Sequence, residues 1–180
     1  MVNTKVQVLH LPVLIAVDEG AGLSEYSQVP LEMYLELKKN FPIFCVDVVA
    51  IDKERRLFYL ANRKRPTRLG WWWFGGRVGI DESPENAAVR KMLEETGLMI
   101  DPNRLKPAGV IFHYIFEGGK RETFPALQFT VELSVAERVA IQLDDVEYHA
   151  KLGVQAFGYQ DLHDLQVYAA VVAMHKQIFP

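Results

Sequence analysis

"FGGRVGIDESPENAAVRKMLEETGL", residues 74–98, is the stretch on which the reading of this chain turns. Its middle spells a helix with marked ends. Ser83 suits an N-cap, Pro84 the first helical position, and Gly97 the left-handed residue beyond the last turn. At about 100° per residue, Ala88, Val89, Met92 and Leu93 share an apolar face, while Ala87, Arg90, Lys91, Glu94 and Glu95 lie opposite. Two carboxylates therefore fall in the last turn, where the free carbonyls already carry partial negative charge and disfavour them. Arg90–Glu94 and Lys91–Glu95 are i,i+4 pairs, but base before acid is the poorer orientation, and such exposed pairs contribute only about 0.3–0.5 kcal/mol each. A bound divalent cation would remove the conflict, since carboxylates are hard ligands suited to Mg²⁺ or Mn²⁺. Just upstream, Gly75 and Gly76 let backbone approach a ligand closely and leave a carbonyl free to face it.

Strand and helix patterns alternate around this segment. "IFCVDVVAID" (43–52) reads as a buried strand and "LFYLANR" (57–63) as its hairpin partner across the charged turn "KERR". "WWWFGG" (71–76) begins extended. "KPAGVIFHYIFE" (106–117) and "TFPALQFTVEL" (123–133) form two long strands, and "VQAF" (154–157) a last one. From Tyr159 to Ile178 a helical stripe carries Leu162, Leu165, Val172 and Ile178. Five or six strands with two main helices imply a mixed α+β sheet with helices on its faces. Residues 1–41 read as an N-terminal arm, an extended segment at 5–17 and a short helix at 31–40 behind Pro30, and residues 42–180 as the main domain.

The totals narrow the partners. A length of 180 residues suits one domain with an added arm, and 49% hydrophobic with 24% charged residues is ordinary for a soluble fold. A net charge of −3 argues against a dedicated nucleic-acid binder, which needs a basic face. The run "VQVLHLPVLIAV" (6–17) is too short to span a bilayer and is interrupted by His10 and Pro12, so no membrane role is expected. The lone Cys45 cannot form an internal disulfide, which fits a cytoplasmic protein.

From Gly76 the spacing runs five residues to Glu82, seven more to Arg90, then Met92, Glu94–Glu95, Gly97 and Leu98. This resembles the Nudix box, the loop–helix–loop signature of hydrolases acting on a nucleoside diphosphate linked to another group. The likeness covers 23 residues and all but one of the defining positions. It implies an α+β fold with a mixed β-sheet sandwiched between helices (α/β/α). It also implies Mg²⁺ or Mn²⁺ held by Glu94, Glu95 and the Gly76 carbonyl, with Glu82 and Arg90 supporting the geometry. Two positions depart from the pattern. Lys91 stands where most members have a glutamate that serves as metal ligand or general base, and Phe74 replaces the usual proline. A base must then come from elsewhere, or the reaction differs, or the site does not turn over.

"NRKRPTRLGWWWFGGRV" (62–78) and "GVIFH" (109–113), with Asp47 in the first core strand, are similar to the GDP-mannose mannosyl hydrolases, which also lack the glutamate replaced by Lys91. That likeness implies a nucleotide sugar cleaved by water attack at the anomeric carbon, and a homodimer. By position, Arg63 and Arg77 would contact phosphate, with Arg65 beside them in the basic loop. His113 would orient substrate, Asp47 would support it, and Trp72 is a candidate for stacking on a base or sugar. His149 is the leading candidate base, with Glu147 and Asp145 as alternatives. A satisfied core histidine is the plainer reading of His113, and a structural hydrogen bond explains Asp47 as well. Pyrophosphate cleavage at P–O, on ADP-ribose, a dinucleotide or a nucleoside triphosphate, and nucleotide binding without turnover stay open.

Overall fold

The computed structural model describes residues 30–65, 68–117 and 120–180. The expected extended segment at 5–17 lies outside them. At the centre is β1 (Cys45–Asp52), whose eight residues are all buried, as a strand covered on both faces requires. Strand alternation sends Val46, Val48 and Ala50 to one core with Ala87, Ala88 and Met92 of α2 (Pro84–Thr96). Val49 and Ile51 go to the other, with Leu162 of α4 (Tyr159–Asp164) and Ala170, Val171 and Met174 of α5 (Ala169–Ile178). The sheet is thus sandwiched between helices, as expected.

One edge of β1 runs parallel to β6 (Lys120–Glu132), from Cys45 opposite Ala126 to Ile51 opposite Glu132. Its other edge is forked. Ala50–Asp52 pair antiparallel with β2 (Leu57–Arg63), whereas Cys45–Val48 pair with β4 (Phe74–Arg77). Beyond Tyr59, β2 turns to β3 (Gly70–Trp72), so the segment from Gly70 to Arg77 fills the fork. β7 (Val154–Phe157) takes the outer edge of β2, and β5 (Lys106–Glu117) closes the far side against β6. The fork depends on Gly75. Its φ is +153°, and a Cβ there would lie 2.2 Å from the Val46 carbonyl oxygen and 2.7 Å from Asp47 Oδ1.

α1 (Leu31–Asn40) follows Pro30 as read from the sequence. In α2 the ends are also as expected: Ser83 Oγ accepts from the Asn86 N–H at 3.2 Å, and Gly97 is left-handed at φ +71°. The buried face is not as expected. Ala87, Ala88, Met92, Glu95 and Thr96 point inward, while Leu93 is 42% exposed. Counting apolar residues turns the helix toward Leu93, because such a count gives a carboxylate no reason to be inside. Two further differences concern the C-terminal part. A short α3 (Val135–Ala140) sits behind a Ser134–Glu137 capping box. The expected 159–178 helix is broken into α4 and α5 at Gln166, whose φ is +51°, leaving Leu165 exposed. Among the described residues no helix is long and apolar enough to cross a membrane.

Candidate active site

The loop after β4 is laced to α2 by Arg90. Its Nε and Nη2 donate to the two oxygens of Glu82 at 2.8 and 2.9 Å, Nη2 also donates to the Arg77 carbonyl at 3.0 Å, and Nη1 donates to Glu94 Oε1 at 3.0 Å. Glu82 Oε2 in turn accepts from the Gly79 N–H at 2.8 Å. Burial disfavours charge on both partners. The paired carboxylates nevertheless hold Arg90 firmly protonated, and Arg90 with the Gly79 N–H holds Glu82 below the usual carboxylate range.

One turn on, Glu95 is 2% exposed. Its Oε2 accepts from the Tyr148 hydroxyl at 2.5 Å and from the Gly75 N–H at 3.1 Å. The Lys91 ammonium lies 2.9 Å from Glu95 Oε1 and 2.9 Å from Glu94 Oε2, so a single cation bridges both acids. Burial raises the pKa of Glu95 even against Lys91 and Tyr148. The more open Glu94 is lowered, Lys91 and Arg90 together outweighing its burial. Burial also pushes the Tyr148 hydroxyl well up, with Glu95 adding to it, so Tyr148 is a permanent donor.

The anticipated metal ligands Gly76, Glu94 and Glu95 are therefore neighbours, but their arrangement does not suit a divalent cation. Three of the four carboxylate oxygens accept hydrogen bonds, the fourth, Glu95 Oε1, is buried without one and faces the Lys91 ammonium, and the Lys91 stem crosses the face of Gly76, where a Cβ would lie 2.8 Å from Lys91 Cε. Among the described residues no three or more His, Cys, Asp or Glu side chains are grouped to hold a metal ion. No catalytic step is assigned to one.

Residues 147–149 close the site from the far side. Glu147 is ion-paired with the buried Arg63 and, at 3.1 Å, with the exposed Arg65. Its carbonyl accepts from the Lys64 N–H at 3.1 Å. Arg63 also lies over the Tyr148 ring at 5.9 Å, and Tyr148 with Glu147 keeps it protonated against its burial. Tyr148 was not singled out from sequence; it stands beside His149 in "DDVEYHAKL", but no local pattern ties it to α2. His149 itself is exposed, anchored by its backbone N–H to the Asn62 carbonyl at 2.8 Å, and Asp145 is exposed nearby in sequence. Arg77 is half-buried and contributes its carbonyl to the Arg90 clamp.

Three of the anticipated substrate contacts lie elsewhere. Asp47, His113 and Trp72 are buried together. Asp47 shares the α5-facing side of β1 with Val49 and Ile51, opposite the side that meets α2. It accepts from Gln128 Nε2 at 2.8 Å, with His113 Nε2 3.5 Å away. His113 stacks on Phe124 at 4.6 Å, and Trp72 packs against Trp73 and Tyr168 at 4.9 and 5.2 Å. Their placement is interior, and the sheet separates them from Glu94 and Glu95. Gln128 meets Asp47 Oδ2 alone; among the described residues Asp47 Oδ1, both His113 ring nitrogens and Trp72 Nε1 are buried without a hydrogen-bond partner.

The NUDIX domain family matches residues 42–178, and the chain belongs to it. An uncharacterized Nudix hydrolase of Streptomyces coelicolor is 31% identical over 113 residues, 60% of this chain and 58% of its own length. The chain thus spans little more than half of that relative. Among solved structures, the MutT NUDIX hydrolase from Burkholderia pseudomallei superposes with a TM-score of 0.62 at 21% identity, over 77% of this chain and 98% of its own. The NUDIX domain of Shewanella oneidensis NrtR, captured with ADP ribose, gives 0.57 at 19% identity, over 84% and 100%. At these identities the two structures establish the shared fold, a mixed sheet between helices.

Proposed function

We propose that this chain hydrolyses a nucleoside diphosphate linked to a second group, at the face of α2 bearing Arg90, Lys91, Glu94 and Glu95. The observation that carries the reading is the fixed form of the box: Arg90 ties Glu82, Glu94 and the Arg77 carbonyl together, and Glu95 is pinned from three sides. Lone surface ion pairs would not need a buried glutamate at a helix C-terminus. For the linked group we propose a sugar, GDP-mannose being the case the sequence resembles, with water directed at the anomeric carbon. Lys91 in place of the box acid supports this. Arg65 and Arg77 would meet the phosphates, and His149 would be the base, since residues 147–148 already reach Arg63 and Glu95.

A second reading, ligand binding without turnover, is favoured by the same Lys91, which ties up both box glutamates. The test is a product-identified screen of GDP-mannose, ADP-ribose, dinucleotides and nucleoside triphosphates, with and without Mg²⁺ or Mn²⁺, in ¹⁸O-water. Label in the sugar supports attack at carbon. Label in phosphate moves the assignment to P–O cleavage, and binding with no product selects the second reading.

A further inference from the structure

The position of Lys91 has a consequence beyond the choice of substrate. On a helix, residues three and four apart share a face, so one lysine can reach the acids at both positions. Here it reaches both at 2.9 Å, from a side chain only 19% exposed. Its stem lies across Gly76, where a Cβ would come within 2.8 Å of Cε and 3.1 Å of Cδ. The remaining oxygens are taken from the other sides, Glu94 Oε1 by Arg90 and Glu95 Oε2 by Tyr148 and the Gly75 N–H. A hard divalent ion needs several oxygens at roughly 2.0–2.6 Å; here three of the four carry hydrogen bonds, and the fourth, the buried Glu95 Oε1, has the Lys91 ammonium at 2.9 Å as its counter-charge. Charge leads to the same result. Three carboxylates, Glu82, Glu94 and Glu95, face two cations, Arg90 and Lys91, leaving −1. An acid at position 91 would leave −3, so the lysine alters the cluster by two units, the charge of one divalent ion.

We infer that the Lys91 ammonium takes the place of a divalent cation, so that the box face holds itself together and receives a diphosphate without Mg²⁺ or Mn²⁺. The diphosphate half rests on the function proposed above; the cation half does not.

The experiment is Mn²⁺ titration of the full chain without nucleotide, reading free Mn²⁺ by electron paramagnetic resonance. The wild type is expected to show no site tighter than about 1 mM. Lys91→Glu is expected to gain a site at least about tenfold tighter, which the added Glu95→Gln removes. A submillimolar wild-type site abolished by Glu94→Gln would overturn the inference, and that reading needs no Lys91 variant to fold. Lys91→Gln, which removes the charge and keeps a polar end, should also gain Mn²⁺ affinity; no gain in either Lys91 variant, each shown folded by its melting curve, counts against it. Calorimetry with ADP should then give the same Kd in EDTA and in Mg²⁺. ADP bound only with Mg²⁺ overturns the diphosphate half. ADP bound in neither buffer overturns that half and the proposed function together, while the Mn²⁺ titration still decides the cation half.

Discussion

The Tyr148 hydroxyl donates to Glu95 Oε2 at 2.5 Å, joining the end of α2 to a segment 53 residues further along the chain. Both groups are shut away from water, and Arg63 lies against the same ring. A carboxylate withdrawn from solvent at the negative end of a helix is costly unless its lone pairs are met. Glu95 is met by two donors, the Tyr148 hydroxyl and the Gly75 N–H, and by the Lys91 ammonium as an ion-pair partner. The carboxylate therefore serves as a node that sets α2, the β4 strand and the 147–149 segment relative to one another.

Tyr148→Phe isolates one arm of that node. The ring packing against Phe74 is retained, and only the hydroxyl donor is lost. A hydrogen bond to a charged group contributes about 1.5–3 kcal/mol, and that loss of unfolding free energy is expected in urea with an unchanged denaturant slope. A loss below about 0.5 kcal/mol would show that Glu95 finds its stabilisation elsewhere.

Arg90→Lys tests the clamp. The guanidinium spends its fork on Glu82, Glu94 and the Arg77 carbonyl at once, and an ammonium cannot reproduce that planar reach. Turnover of whichever substrate the screen identifies is expected to fall about 10²-fold, as small misplacements of reacting groups do. Near-normal kcat/KM in the variant would mean that the loop–helix geometry does not depend on Arg90.

Local signals made the frame of the site readable in advance. Ser83, Pro84 and Gly97 mark the ends of α2 through backbone requirements that any reader can match to residue type. The Ser134–Glu137 spacing is as local a signal, yet the α3 behind it is only six residues long. What could not be read is what depends on distance along the chain. Arg90 and Glu82 are eight residues apart and meet because a loop folds back, not because a helix repeats. Gln166 breaks the C-terminal helix in a left-handed conformation without the glycine that usually announces one. Asp47 reads equally as a substrate support or a structural hydrogen bond, and its partner for Oδ2, Gln128, lies 81 residues away.

The facing of α2 follows the same logic and can be checked by a pair of truncations. Met92 is fully buried in the core beneath the helix, whereas Leu93 is exposed despite its apolar side chain. Met92→Ala is expected to cost about 2–5 kcal/mol, with Leu93→Ala within about 0.5 kcal/mol of the wild type. The reverse order in urea unfolding would restore the apolar face counted from sequence.

Acid should probe a pair remote from the site. Arg104 Nη1 and Nη2 donate to the two oxygens of Glu137 at 2.5 and 3.0 Å, and Glu137 also accepts from the Ser134 N–H at 2.8 Å. Arg104, reinforced by Ser134, outweighs the small effect of burial and lowers the Glu137 pKa from 4.5 to about 2. Between those values the unfolded chain binds more protons at this carboxyl than the folded one, so stability rises with pH there. The contribution is complete above 4.5 and is lost as pH falls toward about 2. Solvent screens the pair, with Arg104 37% exposed, which limits it to about 1 kcal/mol or less. Arg104→Met should therefore be less stable than wild type near neutral pH, and the gap should close as urea unfolding is repeated toward pH of about 3. Glu82 and Glu94 remain in both proteins and supply a common background slope. A gap that stays constant with pH would mean Arg104 acts through its packing, or through its bond to the Glu132 carbonyl, and not through the charge on Glu137.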